Sequence, residues 1–303
     1  MSTNSQTSDT TASMEICVLA SGSGGNCAVV RTPDGAMLID AGIGPRTTAA
    51  RLKGTGVSLA DVSAICLTHL DSDHFRANWA PTIVERGIRV FCHAKRIYDL
   101  FGIVRQAIPG PTAASLHKAF FPLIEPFYEA FEPLPDVSAS AVPLSHDLEG
   151  SYAFVFSGRG ARIGYATDLG SVPARLVEAF DSLDVLAIES NYDPQLQRAS
   201  GRPLFLQRRI TGGRGHLSNQ QAFEAVCTMF DRCQRSGQAL PAHVVLLHRS
   251  RDCNCPKIVR RVFGRDSRIA ARLTLAEQFD RSHWLGPVER PLVIGEQLML
   301  MLG

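Results

Sequence analysis

The sequence has no long apolar run, no secretory signal and almost no net charge. No uncharged apolar stretch approaches the roughly 18 residues that a membrane-spanning helix requires. The start of the chain is rich in Ser and Thr and lacks the basic-then-apolar order of a signal peptide. We therefore expect a cytoplasmic protein with no membrane partner, in which residues 1–13 form a disordered tail. The length of 303 residues suits one large domain or two ordinary ones.

The cysteines and serines show no pattern typical of a disulfide framework or a serine nucleophile. Several of the eight cysteines lie within apolar runs, such as residues 16–18 and 64–67, which indicates buried thiols in a reducing compartment. Cys253 and Cys255 form one Cys-x-Cys pair without a second pair, which is weak support for structural zinc. No Gly-x-Ser-x-Gly occurs, so we expect no serine nucleophile.

The formal charge of +2 conceals an uneven distribution. Residues 198–268 hold fourteen Lys or Arg against four Asp or Glu, a net charge of +10, while the rest of the chain carries −8. The charge of the whole chain argues neither for nor against a polyanionic partner. The basic third is nevertheless suited to one if it lies beside a reaction centre.

Short apolar runs alternate with segments of helical spacing, which predicts an α/β fold. Functional residues in such folds gather beyond strand ends. Residues 105–135, rich in Pro and Phe, break the pattern, and we expect them to form an insertion packed on the domain. Strands are predicted at 16–20, 27–30, 37–40, 64–68, 89–92, 153–156, 162–167, 185–189 and 244–247, and helices at 46–53, 80–86, 172–180 and 218–233.

A glycine-rich stretch, Ser-Gly-Ser-Gly-Gly-Asn at 21–26, follows the first predicted strand. Cys27 stands where the Rossmann fingerprint needs Gly or Ala, and another strand follows in place of a helix. A tight turn between two strands is the favoured interpretation, because glycine accepts the positive φ that such turns need. A direct part in substrate binding is the alternative.

Four possible metal ligands fall within six residues at the end of the predicted strand 64–68. His69 and Asp71 can project to one side of an extended segment, while Asp73 and His74 can reach a second position at the following turn. This spacing suits two metal ions that share one site. Three further candidates each follow a strand-like run or a similar boundary, and these are His146, Asp168 and His248.

The order of these residues resembles the metallo-β-lactamase fold superfamily, whose motif is His-x-His-x-Asp-His followed by a distant His, Asp and His. Four segments narrow the resemblance to its YycJ/WalJ-like exonuclease branch: Leu-Ala-Ser-Gly-Ser-Gly-Gly-Asn-Cys at 19–27, Leu-Ile-Asp-Ala-Gly at 38–42, Gly-His-Leu-Ser-Asn at 215–219, and Leu-His-Arg-Ser-Arg at 247–251 with Asn254. The resemblance implies a four-layer αββα sandwich, classed α/β (α+β), with residues 14–303 as one hydrolase domain.

Carried over by position, the resemblance implies two divalent metal ions with one shared ligand. Asp71 stands where the superfamily motif has its second His. A carboxylate at that position is expected to favour Mn²⁺ or Mg²⁺ relative to Zn²⁺. The implied ligands are His69, Asp71 and His146 at site one, Asp73, His74 and His248 at site two, and Asp168 between them.

Such a centre suits hydrolysis of a phosphodiester, because two divalent ions can hold a hydroxide as nucleophile and stabilise charge on phosphate oxygens. The resemblance to this branch predicts a 5′-to-3′ exonuclease that acts on nucleic acid, with DNA favoured over RNA as the substrate. It also places His216 beside the metals as the candidate proton donor, with Asp73 and Asp168 as catalytic carboxylates. A purely structural His216 is the alternative. Glu189 is expected to border the site and orient its neighbours.

Several polar and basic residues beside the motifs are candidates for substrate binding. Ser218 is also a plausible N-cap for the helix that follows. The substrate-binding candidates are Arg208, Arg209, Arg214, Ser218, Asn219, Arg249 and Arg251.

Two other functions and the oligomeric state stay open from the sequence. A small-molecule hydrolase on the same fold, acting on a cyclic phosphodiester, thioester or lactone, would bind its substrate with little salt dependence, unlike a protein that tracks a phosphate backbone. A catalytically inactive metal- or nucleic-acid-binding protein is suggested by Asp71 alone.

Overall fold

The computed structural model describes residues 13–110 and 113–288, and its strands form two sheets. Residues 1–12 of the predicted tail and residues 289–303 of the predicted domain lie outside the described residues. The first sheet consists, side by side in this order, of β1 (Glu15–Ala20), β2 (Cys27–Thr32), β3 (Gly35–Ile39), β4 (Val62–Cys66), β5 (Arg89–His93) and β6 (Ile124–Phe127). The second consists of β7 (Ala130–Leu134), β8 (Val137–Leu144), β9 (Ser151–Gly158), β10 (Ala161–Ala166), β11 (Val185–Glu189), β12 (His243–Leu247) and β13 (Leu273–Leu275).

The two sheets share one pattern of pairing. In the first, β1, β2 and β3 are antiparallel, and the strands from β3 to β6 are parallel. In the second, the strands from β7 to β10 are antiparallel and those from β10 to β13 are parallel. Candidate ligands lie after β4, β10 and β12, each of which has a parallel neighbour, and His146 lies after the antiparallel strand β8.

Helices lie between the strands as the sequence predicts, and every predicted strand and helix is confirmed to within a few residues at its ends. Within residues 13–110 and 113–288, no helix combines the length and apolar character that a bilayer crossing needs. The α-helices are α1 (Pro45–Leu52), α2 (Ala80–Arg86), α3 (Ile97–Ala107), α4 (Ala114–Phe120), α5 (Ala174–Ala179), α6 (Pro194–Ala199), α7 (Leu204–Thr211), α8 (Asn219–Arg235), α9 (Pro256–Phe263) and α10 (Ser267–Ala270).

The core lies in three apolar layers, which confirms the predicted αββα sandwich. Between the sheets, side chains such as Val18 and Ile39 meet Phe154 and Ile163. On the outer face of the first sheet, a second layer includes residues of α1 to α4, and on the outer face of the second sheet a third includes residues of α5, α8, α9 and α10. Alternate residues of each strand serve opposite layers, as the period of two requires.

Helix α8 shows why the sequence folds this way near the site. Ser218 accepts a hydrogen bond from the backbone N–H of Gln221, whose side chain returns to the backbone of Ser218, so a capping box starts the helix. Below it, an apolar stripe at helical spacing packs on the second sheet. The stripe comprises Ala222, Ala225, Val226, Met229, Phe230 and Cys233.

The expectation that residues 105–135 form a packed insertion is wrong. The segment supplies β6 to one sheet and β7 to the other, so it forms an edge of both. Phe127 and Phe131 stack at 4.8 Å between the sheets and contact Phe154. The prolines conceal these strands in the sequence, because a residue without an N–H is tolerated only at sheet edges.

Candidate metal centre

The candidate ligands gather at one end of the sandwich, on the loops that follow the strands. Asp40, Asp168 and His248 follow β3, β10 and β12 with positive φ values of 60°, 51° and 50°. Such backbone conformations are uncommon for residues other than glycine and concentrate at functional sites. The turns therefore aim these side chains away from the strand direction and into a shared space.

The loop after β4 lies against two segments, the glycine-rich turn at 21–26 and the loop after β3 that contains Gly42. The stretch 21–26 connects antiparallel β1 and β2, which confirms the predicted hairpin. A Cβ atom on Gly42 would lie 1.7 Å from the backbone oxygen of Asp73, so only glycine allows this approach. Asn26 completes the contact, because its Nδ2 lies 2.9 Å from Nε2 of His74 and 3.4 Å from a carboxylate oxygen of Asp73.

The first group of donors combines the loop after β4 with the end of β12. It consists of Asp73, His74 and His248, each of which offers an atom within 4.8 Å of the others. Nε2 of His248 lies 3.3 Å from Oδ2 of Asp73. The structure thus brings together the three residues that the resemblance groups as site two.

The second group consists of His69, His146 and Asp168, again with donor atoms within 4.8 Å. Nε2 of His69 is buried and has no hydrogen-bond partner among the described residues. A buried polar nitrogen without a partner is costly in free energy unless a ligand satisfies it. Burial also lowers the pKa of His69 well below its usual range, so its imidazole is neutral and can donate a lone pair.

Asp168 lies between the two groups. Its Oδ2 is 2.9 Å from Nε2 of His74, and its Oδ1 is 3.6 Å from Nε2 of His248 and 3.8 Å from Nε2 of His146. Burial opposes the charge on this carboxylate, but the imidazoles of His248 and His74 outweigh burial and hold its pKa well below the usual range. Asp168 is therefore an ionised carboxylate within reach of both groups.

Each central histidine is anchored through its Nδ1 atom, which leaves Nε2 directed at the centre. Nδ1 of His74 lies 2.7 Å from a carboxylate oxygen of buried Asp40, and Nδ1 of His146 lies 3.0 Å from the backbone oxygen of Gly215. The amide nitrogen of Asn191 lies 3.0 Å from Nδ1 of His248 and donates a hydrogen bond to the backbone oxygen of His248 at 2.8 Å. Such partners fix the orientation of imidazole ligands at metal sites.

Asp71 stands at the rim of the centre. Its side chain is 53% exposed, and its Oδ2 lies 3.8 Å from Nε2 of His69. It also forms a possible donor group with His146 and Asp147. The position is compatible with the predicted ligand role, and that role stays a prediction.

These features fit divalent metal ions. Two three-residue donor groups lie on either side of the Asp168 carboxylate, and Nε2 of His69 has no hydrogen-bond partner within residues 13–110 and 113–288. Mixed imidazole and carboxylate donors suit Zn²⁺ and Mn²⁺.

A comparison with known families identifies the superfamily of the chain. A family model for the β-lactamase superfamily domain matches residues 36–244, which is more than half of the chain. The chain belongs to the metallo-β-lactamase superfamily. Membership in this superfamily of metal-dependent hydrolases confirms the predicted enzyme class and implies divalent metal ions.

Individual members of the superfamily resemble the chain over most of its length. Exodeoxyribonuclease YycJ of Bacillus anthracis is 26% identical over 250 residues, which cover 82% of this chain and 86% of that protein. Exodeoxyribonuclease WalJ of Streptococcus pneumoniae is 26% identical over 215 residues, covering 69% and 74%. The crystal structure of the metallo-β-lactamase fold protein YhfI from Bacillus subtilis gives a TM-score of 0.61 at 13% identity, covering 89% of this chain and 98% of that one, and so shares the fold.

His216 lies beside the metallo-β-lactamase centre, where the sequence motif predicts it. Its ring stacks on His248 at 5.2 Å, and its Nδ1 lies 3.0 Å from Oε1 of Glu189 and 3.5 Å from Oδ1 of Asp168. Glu189 is fully buried and also accepts a hydrogen bond from the backbone N–H of Leu217. Burial lowers the pKa of His216, but the carboxylates of Glu189 and Asp168 outweigh burial and raise it to about 9.

A cleft of about 590 Å³ opens beside the centre. Arg208, Arg209 and Arg214 line it, which places three of the predicted substrate-binding residues together. Arg209 forms an ion pair with Asp147, the residue after ligand candidate His146. Arg96 also lines the cleft. It was not predicted as a site residue, because nothing in its local sequence pattern distinguishes it.

A second cavity of about 310 Å³ lies on the other side of Arg209, which lines both. His216 and His248 reach into it from the metal centre. Ser23, from the glycine-rich turn, also lines this cavity. The alternative that this turn contacts the substrate therefore stays open.

Four of the predicted substrate-binding residues are absent from the walls of both cavities. Arg249 forms an ion pair with Glu277, and the guanidinium of Arg251 lies 5.3 Å from the ring centre of Phe279. Ser218 caps α8 as predicted. Buried Asn219 is hydrogen-bonded with Ser190 and Asn254.

Proposed function

We propose that the protein is a two-metal phosphodiesterase that removes nucleotides from the 5′ end of DNA. The observation that carries this proposal is the pair of donor groups with Asp168 within reach of both, at a cleft lined by Arg208, Arg209 and Arg214. The likeness to two proteins named exodeoxyribonucleases supports nucleic acid as the substrate.

The ligand set that we propose comes from the resemblance, and the two donor groups support it. When bound, two divalent ions supply an activated water nucleophile at neutral pH and stabilise the charge that develops on the phosphate oxygens. The carboxylate of Asp71 makes its site harder, so we expect Mn²⁺ or Mg²⁺ to be favoured over Zn²⁺ there. The residues that would hold the ions are His69, Asp71 and His146 in one group and Asp73, His74 and His248 in the other, with Asp168 lying between the groups.

His216 delivers a proton to the departing oxygen of the substrate. A general acid must be held near the reacting atoms and carry its proton at the working pH. Glu189 accepts a hydrogen bond from Nδ1 of His216 and fixes the ring against His248, which leaves Nε2 to face the second cavity. Asp73 and Asp168 are the proposed catalytic carboxylates.

The arginines hold the DNA backbone. Arg208, Arg209 and Arg214 present cations to a chain of phosphates, and such contacts make affinity fall steeply as salt concentration rises. They carry no information about base sequence, so we expect cleavage without sequence specificity.

The test supplies the purified protein with Mn²⁺ and two substrates, a 5′-labelled DNA and bis(p-nitrophenyl) phosphate. We expect release of labelled mononucleotides from the DNA and their absence with Asp168→Asn. Hydrolysis of the small diester with the DNA left intact would overturn the nuclease and favour a small-molecule phosphodiesterase. No hydrolysis of either substrate would favour a metal- or nucleic-acid-binding protein.

A second experiment examines Asp71. We expect Asp71→Ala to lower activity with Mn²⁺, and Asp71→His to shift the metal preference toward Zn²⁺. A large gain of activity in Asp71→His with Mn²⁺ would show that the native carboxylate marks a site that has lost hydrolytic function.

A further inference from the structure

Three aromatic side chains, His93, Tyr128 and Tyr152, form a surface that the proposed reaction does not use, and we name it the aromatic shelf. The rings of His93 and Tyr152 stack with their centres 4.5 Å apart and their planes 13° from parallel. The ring of Tyr128 lies 6.3 Å from that of His93, edge to face, and Tyr128 is 69% exposed.

The aromatic shelf adjoins the metal centre. The backbone N–H of Tyr152 donates to the backbone oxygen of Thr68 at 3.0 Å, and the hydroxyl of Thr68 lies 3.0 Å from Nδ1 of His69. A narrow cavity of about 10 Å³ is lined by His69 together with His93 and Tyr152. Thr68 therefore connects Tyr152 of the shelf to the candidate ligand His69.

The shelf also continues the wall of the main cleft. Arg96, Glu149 and Gly150 line both the cleft and the narrow cavity. The guanidinium of Arg96 is held by carboxylates of Asp99 at 2.7 Å and Glu149 at 2.8 Å. Arg96 thus borders both the cleft of the α7 arginines and the narrow cavity beside His93 and Tyr152.

Packing explains the inner rings of the shelf but not its outermost one. His93 and Tyr152 each contact Phe127, a core residue, at 5.5 Å. Tyr128 has its ring contact with His93 alone among the described aromatic residues. An exposed tyrosine that extends a stacked pair beside a basic cleft matches the way proteins bind unpaired bases, which stack on aromatic rings while cations follow the phosphates.

We propose that the aromatic shelf stacks the bases of an unpaired DNA segment whose phosphates lie along Arg96 and the arginines of the cleft. This inference rests on the proposed function, because it names single-stranded DNA as the substrate class of the same site. Stacking is open to every base, so the preference is for strand state and not for sequence. Bases inside a duplex keep their faces covered and cannot use the shelf.

The test measures binding of a phosphorothioate-linked oligodeoxythymidylate by fluorescence anisotropy, with the protein as purified. We expect Tyr128→Ala to weaken single-strand binding by about 5- to 100-fold, and Tyr128→Phe to bind like the wild type, since the ring face is retained. Duplex binding should change less than about 2-fold. Tyr98→Ala is the matched control, because Tyr98 is a 78% exposed tyrosine of α3 outside the shelf.

Salt dependence separates stacking from charge. The side chain of Tyr128 is uncharged, so its removal should leave the number of phosphate contacts unchanged. Tyr128→Ala should lower the affinity without changing the slope of log affinity against log salt concentration. A changed slope, equal losses for single strand and duplex, or equal losses in Tyr128→Ala and Tyr98→Ala would overturn the shelf.

Hydrolysis of bis(p-nitrophenyl) phosphate keeps this inference distinct from the proposed function. Tyr128→Ala should hydrolyse this diester at the wild-type rate. If single-strand binding depends on Tyr128 but no DNA is cut with Mn²⁺, the nuclease activity is contradicted and base stacking on the aromatic shelf is supported. If DNA is cut and bound equally well without Tyr128, base stacking on the shelf is contradicted and the nuclease activity is supported.

Discussion

The two halves of the sandwich contribute to the metal centre in different ways. The first half places four donors on the one loop after β4 and orients His74 with the buried carboxylate of Asp40. The second half supplies donors from three separate loops and orients them with neutral groups, a backbone oxygen for His146 and the amide of Asn191 for His248. Because a carboxylate partner makes an imidazole a stronger ligand, we expect the first half to dominate metal affinity.

The largest expected effect comes from the residue that joins the halves. Asp168→Asn keeps a side chain that tolerates the positive φ of this position but removes the charge shared by both donor groups. We expect metal content to fall from two equivalents to one or fewer, and activity to fall by more than the roughly 10- to 100-fold typical of residues that only orient a ligand. Elemental analysis measures the metal content, and circular dichroism checks that the variant is folded. Retention of both ions would contradict a shared role for Asp168.

The next largest effect is expected in the first half. Asp40→Asn removes the charge that accepts from Nδ1 of His74, and we expect metal affinity to fall by about 10- to 100-fold. Competition with a chelator measures the affinity. Asp231→Asn is the control, since Asp231 pairs with Arg268 on the surface. Equal affinities in the two variants would show that the carboxylate of Asp40 does not strengthen the ligand.

A smaller loss is expected in the second half. Asn191→Ala removes a neutral partner of His248, so we expect metal affinity to fall by about 10-fold, at the lower end of the range for such partners. The same chelator titration applies. A greater loss than in Asp40→Asn would reverse the ranking of the two halves.

The smallest effect concerns the three cleft arginines of the second half, Arg208, Arg209 and Arg214. Arg209→Gln removes one cation from the cleft and leaves the metal ligands in place. We expect unchanged hydrolysis of bis(p-nitrophenyl) phosphate and a salt slope of DNA binding lower by about one. An unchanged slope would show that the guanidinium stays paired with Asp147 and takes no phosphate.

The two halves also differ in how much of them the sequence reveals. Four donors within six residues form a local signal, so the loop from His69 to His74 is visible by inspection. His146, Asp168 and His248 become recognisable only by their order along the chain and by a known motif. The strands and helices were predictable because their apolar periodicity is local.

Contacts that depend on the assembled fold were not predictable in the same way. The pairing of Asp40 with His74, of Asn191 with His248 and of Gly215 with His146 joins residues between 34 and 69 positions apart. No spacing rule encodes such contacts. The edge strands β6 and β7 were missed for a different reason, since their prolines remove the ordinary strand pattern.

The positive φ values at Asp40, Asp168 and His248 have a consequence for protein design. A designer who copies the donor side chains onto another sandwich without these turns would point the donor atoms in the wrong directions. The three turns each cost about 1–3 kcal/mol of backbone strain, so a graft must include the surrounding strands that hold them. The transferable unit of this centre is thus a set of strand ends and not a list of ligands.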